Sequence, residues 1–318
     1  MSLESNQEEA DTKVFLCIKH ASSKFEFEQI CLRTVDSDIG IYALYFHQFL
    51  GKKILLETGS SSSHRIIDIS ALCEEIGPDC CRALPALHAF TGNDYTSAFH
   101  GLGKVKAYET MKESPEFIKL FQSMGDHFEF DASTFGLVEK FVCHLYGVSH
   151  CNDVNEARYV KFCAKQNAAE PQRLPPTRDA LLLHCKRVCF STAIVKRSRQ
   201  NSPYIPRPYD GYGYDLVDGA LEIQWMLLPP APDAALKLVQ CGCKKGCQTR
   251  ACTCKAHGIR CSELCHCKDC KNKDERQTID ENDEDDDYCS DAEESDVEQD
   301  GNDSYESSDD EDDYNSIR

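Results

Sequence analysis

The chain has 318 residues, a formal net charge of −19 and 20 cysteines. No apolar stretch approaches the length that crosses a bilayer, so nothing indicates a membrane role. The opening MSLESNQEEADTKVF has neither the basic nor the apolar region of a secretory signal, which argues against an oxidising compartment and a disulfide framework.

The first 150 residues read as alternating helix and strand. Ala10, Val14, Cys17, Ile18 and Ala21 recur at helical spacing just after Glu8-Glu9. Ile30-Cys31-Leu32 is a short apolar strand that leads to Asp36-Ser37-Asp38. Ile39 to Leu50 is apolar nearly throughout and reads as a buried helix. Ile54-Leu55-Leu56 is a second strand, followed by a helical stretch near 66–76. The apolar run 84–90 then leads to a third acidic point at Thr91-Gly92-Asn93-Asp94. This order fits an α/β layer, which binds ligands at the C-terminal ends of its strands. The plain alternative for Asp36 and Asp38 is a loop at a strand end, and for Asp94 an Asn-Asp turn.

Three segments of this region together resemble the flap-endonuclease and PIN-like nuclease superfamily. They are Glu9-Ala10-Asp11, Asp36-Ser37-Asp38, and Gly92-Asn93-Asp94 followed by Gly101-Leu102-Gly103-Lys104. The resemblance implies that Glu9, Asp11, Asp36, Asp38 and Asp94 stand where that superfamily holds two divalent cations, Mg2+ or Mn2+. It also implies that the Gly-Leu-Gly-Lys turn belongs to an element gripping a DNA backbone. The residue types suit that chemistry, because hard cations take carboxylate oxygens and a pair of them stabilises both oxygens of a phosphodiester displacement. The superfamily places a strand and a further acid ahead of the position of Glu9, whereas Met1 lies only eight residues earlier. The expectation is therefore a partial α/β domain whose nuclease site is inactive, or completed by residues from another chain.

In the middle of the chain, Phe135, Val138, Phe141, Val142 and Leu145 mark an amphipathic core helix within 132–148. Residues 167–177 are polar and proline-bearing, as in a linker, and 179–195 read as a further helix. Lys186-Arg187 and Lys196-Arg197-Ser198-Arg199 fit either a nuclear import signal or solvated helix edges. An irregular loop is expected over 202–214, and Trp225 is expected to anchor local packing. Pro229-Pro230-Ala231-Pro232 reads as a stiff spacer. The cysteines before position 241 are scattered singly apart from Cys80-Cys81 and read as small apolar fillers. Cys143, His144, His150 and Cys151 have the chemistry of metal ligands without the usual paired spacing.

Nine cysteines then crowd into thirty residues: Cys241, Cys243, Cys247, Cys252, Cys254, Cys261, Cys265, Cys267 and Cys270. Too few aliphatic residues are present to form a core. A C-x-C step closes no comfortable disulfide, and nine is an odd count. Nine sulfurs do supply the twelve bonds of three tetrahedral Zn2+ ions when three of them bridge two metals each.

The run CGCKKGCQTRACTCKAHGIRCSELCHCKDCKNK resembles one half of the tesmin/TSO1-like CXC domain, a zinc-dependent DNA-binding module. In that family a residue just ahead of the second C-x-C reaches the DNA minor groove. Arg250 is the nearest counterpart here, and the family's aromatic partner is missing. Lys244, Lys245, Arg250, Lys255, Arg260, Lys268, Lys271 and Lys273 against Glu263 and Asp269 give plus six. Three zinc ions and nine thiolates bring the loaded module near plus three, a charge suited to phosphate contacts. The alternative is that these lysines only keep a small zinc knot soluble. The tesmin type carries two such halves, so a single one implies weaker or less selective DNA binding unless the chain self-associates.

Between Asp274 and Arg318, twenty-two acids face Arg276 and Arg318, a net of −20, which leaves the rest of the chain near plus one. Such runs repel one another, and the tail is expected to be disordered, with Ser290, Ser295, Ser307 and Ser308 placed for acid-directed kinases. It either competes with DNA for the basic module, binds basic proteins such as histones, or stays solvated. The segments ALPALHAFTGNDYTSAFHGLGKVKA, LPPTRDALLLHCKRV and LEIQWMLLPPAP stand ahead of the cysteine block in the order seen in animal transposable-element proteins. That resemblance implies a PIN/flap-endonuclease-like partial domain over 1–150 and a helical, proline-rich connector over 151–240. A CXC zinc domain over 241–273 and an acidic tail over 274–318 complete it. The expected protein is nuclear, zinc-dependent, DNA-binding and of transposable-element origin. A divalent-metal nuclease and an acidic-tail interaction protein are the alternatives.

Overall fold

The computed structural model describes residues 3–59, 63–164, 171–228, 240–244, 246–262 and 265–272. The chain divides into two compact units, Met1–Asp274 and Glu275–Arg318. The second lies outside the described residues, as do Lys245, Lys273 and the proline spacer, so the expectations for the tail and its serines fall there too.

The described residues form a mixed α/β fold. Helix α1 (Ala10–Lys24) opens at Glu9 and buries Phe15, Leu16 and Ile18. Strand β1 (Gln29–Arg33), helix α2 (Ser37–Leu50) and strand β2 (Lys53–Thr58) make a parallel crossover in which Ile30 lies opposite Ile54 and Leu32 opposite Leu56. Alternate side chains of a strand share a face, so Ile30, Ile54 and Leu56 all enter the core. Phe15 of α1 closes that core against Phe46 of α2, with ring centroids 4.5 Å apart.

The stretch near 66–76 is not one helix. Its β-branched start forms β3 (Arg65–Asp68), which pairs antiparallel with β2 and gives the sheet order β1-β2-β3. Asp68 then accepts a hydrogen bond from Ala71 N at 3.1 Å and caps α3 (Ile69–Ile76). One aspartate thus ends the extended backbone and begins the helix.

The apolar run 84–90 is helical as well, inside α4 (Pro78–Phe90), so the third acidic point follows a helix rather than a strand. Pro78 suits the first turn, where its missing N–H is no loss. The helix is apolar on two faces because it divides two cores. Cys81 and Leu84 join the layer with Phe15 and Ile54 beside the sheet. Ala83, Leu87 and Phe90 join a helical core built with α5 (Lys104–Lys112), α6 (Pro115–Ser123), α7 (Phe135–Leu145), α8 (Val154–Ala164) and α9 (Arg178–Lys196). Phe90 is fully buried between Phe121, Phe141 and His184, with centroids 5.4, 5.7 and 5.2 Å away. Full burial of such a ring contributes about 1.5–3 kcal/mol. Phe135, Val138, Phe141, Val142 and Leu145 all face this core, as their spacing predicts.

Helix α9 corrects the expectation for the basic groups. Arg187 is only 2 % exposed. Lys196 Nζ donates to Gln122 O at 2.7 Å and to Asp126 Oδ1 at 2.8 Å, and Arg197 donates to Gly125 O and Asp126 O. Lys196 and Arg197 tie α9 to the turn after α6 and Arg187 is buried, so these three are not solvated helix edges. The chain then runs irregularly to a hairpin of β4 (Tyr214–Val217) and β5 (Ala220–Ile223), which turns at Asp218-Gly219 with positive φ at both residues. Among the described residues the hairpin has no third strand, and Leu216, Val217 and Leu221 stay exposed. Trp225 is therefore 62 % exposed, not a packing anchor. No helix of the described residues is long and apolar enough to cross a membrane.

Candidate metal centre and acidic cluster

The cysteine module holds its shape with little regular structure: helix α10 (Thr253–Ala256) spans one turn. Its end is laced to its beginning by the backbone. His266 N donates to Cys241 O at 2.8 Å, Lys268 N to Cys243 O at 3.1 Å and Lys271 N to Gly246 O at 2.9 Å. Gly246 and Cys247 both take positive φ, which reverses the chain between the first and second turns of ligands.

The lacing brings the sulfurs together. Cys241 Sγ lies 3.7 Å from Cys247 Sγ and 3.6 Å from Cys261 Sγ, while Cys252 and Cys261 stand 3.8 Å apart and Cys254 and Cys265 3.4 Å. A disulfide would need about 2.05 Å. Two ligands of one tetrahedral zinc with Zn–S near 2.3 Å sit about 3.8 Å apart. The spacing is that of ligands sharing an ion. Three groups of four sulfurs lie within 4.8 Å: Cys241, Cys247, Cys261 and Cys267; Cys241, Cys254, Cys261 and Cys265; Cys241, Cys243, Cys247 and Cys252. The cluster can therefore hold a metal ion such as zinc.

Its chemistry favours a cation. Desolvation and the Cys265 thiol push Cys254 up to about 12, and desolvation raises Cys247 and Cys261 as well. At Cys252 desolvation is outweighed by the Lys255 N–H and neighbouring thiols, and its value falls to about 6. Thiols packed this closely share few negative charges unless a metal neutralises them. Asn272, whose role the sequence did not reveal, donates from Nδ2 to Cys261 Sγ at 3.4 Å and Ile259 O at 3.1 Å, and from its backbone N to Cys270 Sγ at 3.4 Å. Lys244, Arg250 and Lys255 are exposed, with Lys255 Nζ donating to Gln248 O at 2.7 Å.

At the other end of the chain, the acids expected from the sequence do converge. Burial, then Asp36, Glu9, Asp38 and Asp94, raise the Asp11 carboxyl above its ordinary value. Asp36 caps α2 by accepting from Asp38 N at 2.8 Å, and Asn93 Oδ1 accepts from Tyr95 N in a tight turn beside Asp94. The turn at Asn93-Asp94 thus holds, whereas only Asp36 lies outside a regular element and Asp38 stands in the first turn of α2.

The same region contains partners that sequence reading missed. The Tyr95 hydroxyl donates to Glu9 Oε1. Lys104 Nζ donates to His88 Nδ1 at 3.0 Å and to Gly92 O at 2.5 Å. With Nδ1 accepting, the ring proton lies on Nε2, which stands 2.9 Å from Asp38 Oδ1. That approach is close but off the hydrogen-bond axis, leaving Nε2 without an aligned partner. The His88 ring holds the Asp38 carboxyl below its ordinary range against desolvation. Desolvation lowers Lys104, with Asp38 and Asp94 opposing it. Lys104 is therefore part of this network. The available signal was His88 itself, a polar residue inside the run 84–90.

The acids form no group of three or more ligand atoms within 4.8 Å among the described residues. Among the described residues, the groups of three or more ligand atoms within 4.8 Å of one another are all cysteine groups. Cys143, His144, His150 and Cys151 form none either. Cys143 and Cys151 are buried fillers and His144 Nδ1 contacts Glu113 at 2.9 Å. No family model, no curated protein and no solved structure matches the chain.

Proposed function

We propose that the chain is a zinc-dependent DNA-binding protein of the nucleus, its cysteine module a single CXC-type unit of transposable-element origin. The overlap of the four-sulfur groups at Cys241, Cys247 and Cys261 carries this reading. Cys241 falls in all three groups, one more than a bridging thiolate serves. Cys270 resolves the excess, because its thiol interacts with those of Cys247, Cys261 and Cys267. Replacing Cys241 by Cys270 in that group leaves three sites, each with four sulfurs, in which Cys241, Cys247 and Cys261 each bridge two ions. All nine cysteines are then used once or twice, which is the arithmetic of three zincs.

Zinc would supply structure here, not catalysis: it would hold the Arg250 and Lys244 backbone in place for phosphate contacts. Metal content per purified chain and gel shift on a duplex panel test this directly. Three zincs are expected, with binding lost on chelation and restored by zinc, and with a shallower salt dependence after Arg250→Ala. A fully loaded chain that ignores duplexes at low ionic strength overturns it.

The convergence of Glu9, Asp36, Asp38 and Asp94 on Asp11 supports a second reading, a Mg2+- or Mn2+-dependent nuclease. We favour an inactive site, because His88 and Tyr95 already contact the carboxylates of Asp38 and Glu9, and Lys104 holds the His88 ring beside them. Manganese-dependent cleavage of flapped DNA that disappears in Asp36→Asn or Asp94→Asn would reverse that choice.

A further inference from the structure

Helix α9 carries a charge that the fold does not neutralise. Arg187 is 2 % exposed, and its Nη1 donates to Gly213 O at 3.2 Å and Gln224 O at 2.9 Å. Its Nε has no hydrogen-bond partner. Among the described residues Nη2 makes no hydrogen bond, and no Asp or Glu forms an ion pair with the guanidinium. Two carbonyls satisfy donors but do not cancel a charge, and a buried unpaired ion costs several kcal/mol. The stem is also pinned. Gly213 lies so close that a Cβ there would stand 3.0 Å from Arg187 Cγ and 2.8 Å from Leu183 O.

Beside this guanidinium opens a cavity of about 130 Å3 lined by Phe99, Pro176, Leu181, His184, Arg187 and Trp225. Among the described residues Arg187 is the only charged group that lines it. His184 Nε2 donates to Phe90 O at 2.8 Å, and burial keeps the ring neutral at pH 7. Trp225, itself well exposed, lies over the guanidinium with its centroid 6.0 Å away.

We propose that this cavity binds a small monocarboxylate whose apolar body is about one ring in size. The carboxylate takes the Nη2 end of Arg187, and the body packs against Phe99, Leu181 and Trp225. A guanidinium N–H gives a carboxylate a charge-assisted hydrogen bond. Single charges cancel, whereas a phosphate dianion would leave excess charge against apolar walls. An apolar cavity of about 150 Å3 admits benzene, which sets the scale of the ligand.

Trp225 is the only tryptophan, so its fluorescence reports on this cavity. The full chain is titrated with benzoate, with neutral benzamide and with inorganic phosphate. Benzoate is expected to give a saturable change, with benzamide and phosphate at least tenfold weaker. Arg187→Met should weaken benzoate at least tenfold. Arg187 also ties down Gly213 and Gln224, so Ala180→Leu serves as a second variant. It fills the cavity while leaving the guanidinium, and should abolish the response. No saturable change with benzoate, an equal response to benzamide or phosphate, or undiminished benzoate binding in either variant overturns the proposal.

Discussion

The shared sulfurs rank the nine cysteines before any of them is changed. In the three-zinc arrangement, Cys243 serves one ion, whereas Cys241 serves two through its separate sets with Cys243 and Cys254. A structural zinc site contributes about 10–16 kcal/mol of apparent binding free energy, so one of four sulfurs accounts for about 3 kcal/mol. Losing one therefore weakens an ion by more than about a hundredfold. Each variant is equilibrated with a chromophoric chelator buffered so that the wild-type chain just keeps its full complement. Retained zinc is then counted by mass spectrometry. Cys243→Ala should release one ion and Cys241→Ala two, leaving the set of Cys247, Cys261, Cys267 and Cys270. Equal losses from the two variants would show that Cys241 does not bridge. A wild-type count of one would remove the cluster altogether.

Gly92 takes φ +106, and a Cβ there would stand 2.7–2.9 Å from Ala98 atoms. Gly92→Ala should cost about 2–4 kcal/mol in urea unfolding, and a change under about 0.5 kcal/mol would contradict the described loop. His184 is held neutral in the fold, with its value taken from 6.5 down to about 4 by burial. The unfolded chain takes up the proton first, so this stability is complete above pH 6.5 and is lost as pH falls toward 4. The loss is about 2 kcal/mol between pH 7 and pH 5 and should be absent in His184→Gln, as read by denaturant midpoints at both pH values. Asp11 has the opposite sign, its folded value being raised by burial and by four carboxylates. Asp11→Asn should stabilise the chain at pH 7 by less than about 1 kcal/mol after solvent screening, and a clear loss of stability would mean that the carboxylate is needed.

Local signals carried far in this chain wherever one face of an element is buried. The helix that opens after Glu9, the strands at Ile30 and Ile54, the buried helix from Ile39 and the core face of Phe135 through Leu145 all follow from spacing alone. Periodicity was insufficient at 66–76 and 84–90. Short apolar runs suit either state there, and the choice fell to pairing with β2 in one case and to burial between two cores in the other. Trp225 and Arg187 exchanged their expected places for a related reason. Exposure depends on what packs above a side chain, and the two-stranded hairpin leaves Trp225 uncovered while Gly213 closes over Arg187.

By itself, the amino-acid order determined that sulfur able to hold a metal would gather between Cys241 and Cys270, because groups so close in sequence need little folding to meet. It also placed acids at three separated stations. Only the tertiary structure decided which sulfurs share a neighbour, that Asn272 holds two of them, and that His88 and Lys104 sit among the acids. These are contacts between positions far apart along the chain or set by loop geometry, and no local pattern of residues encodes their distances.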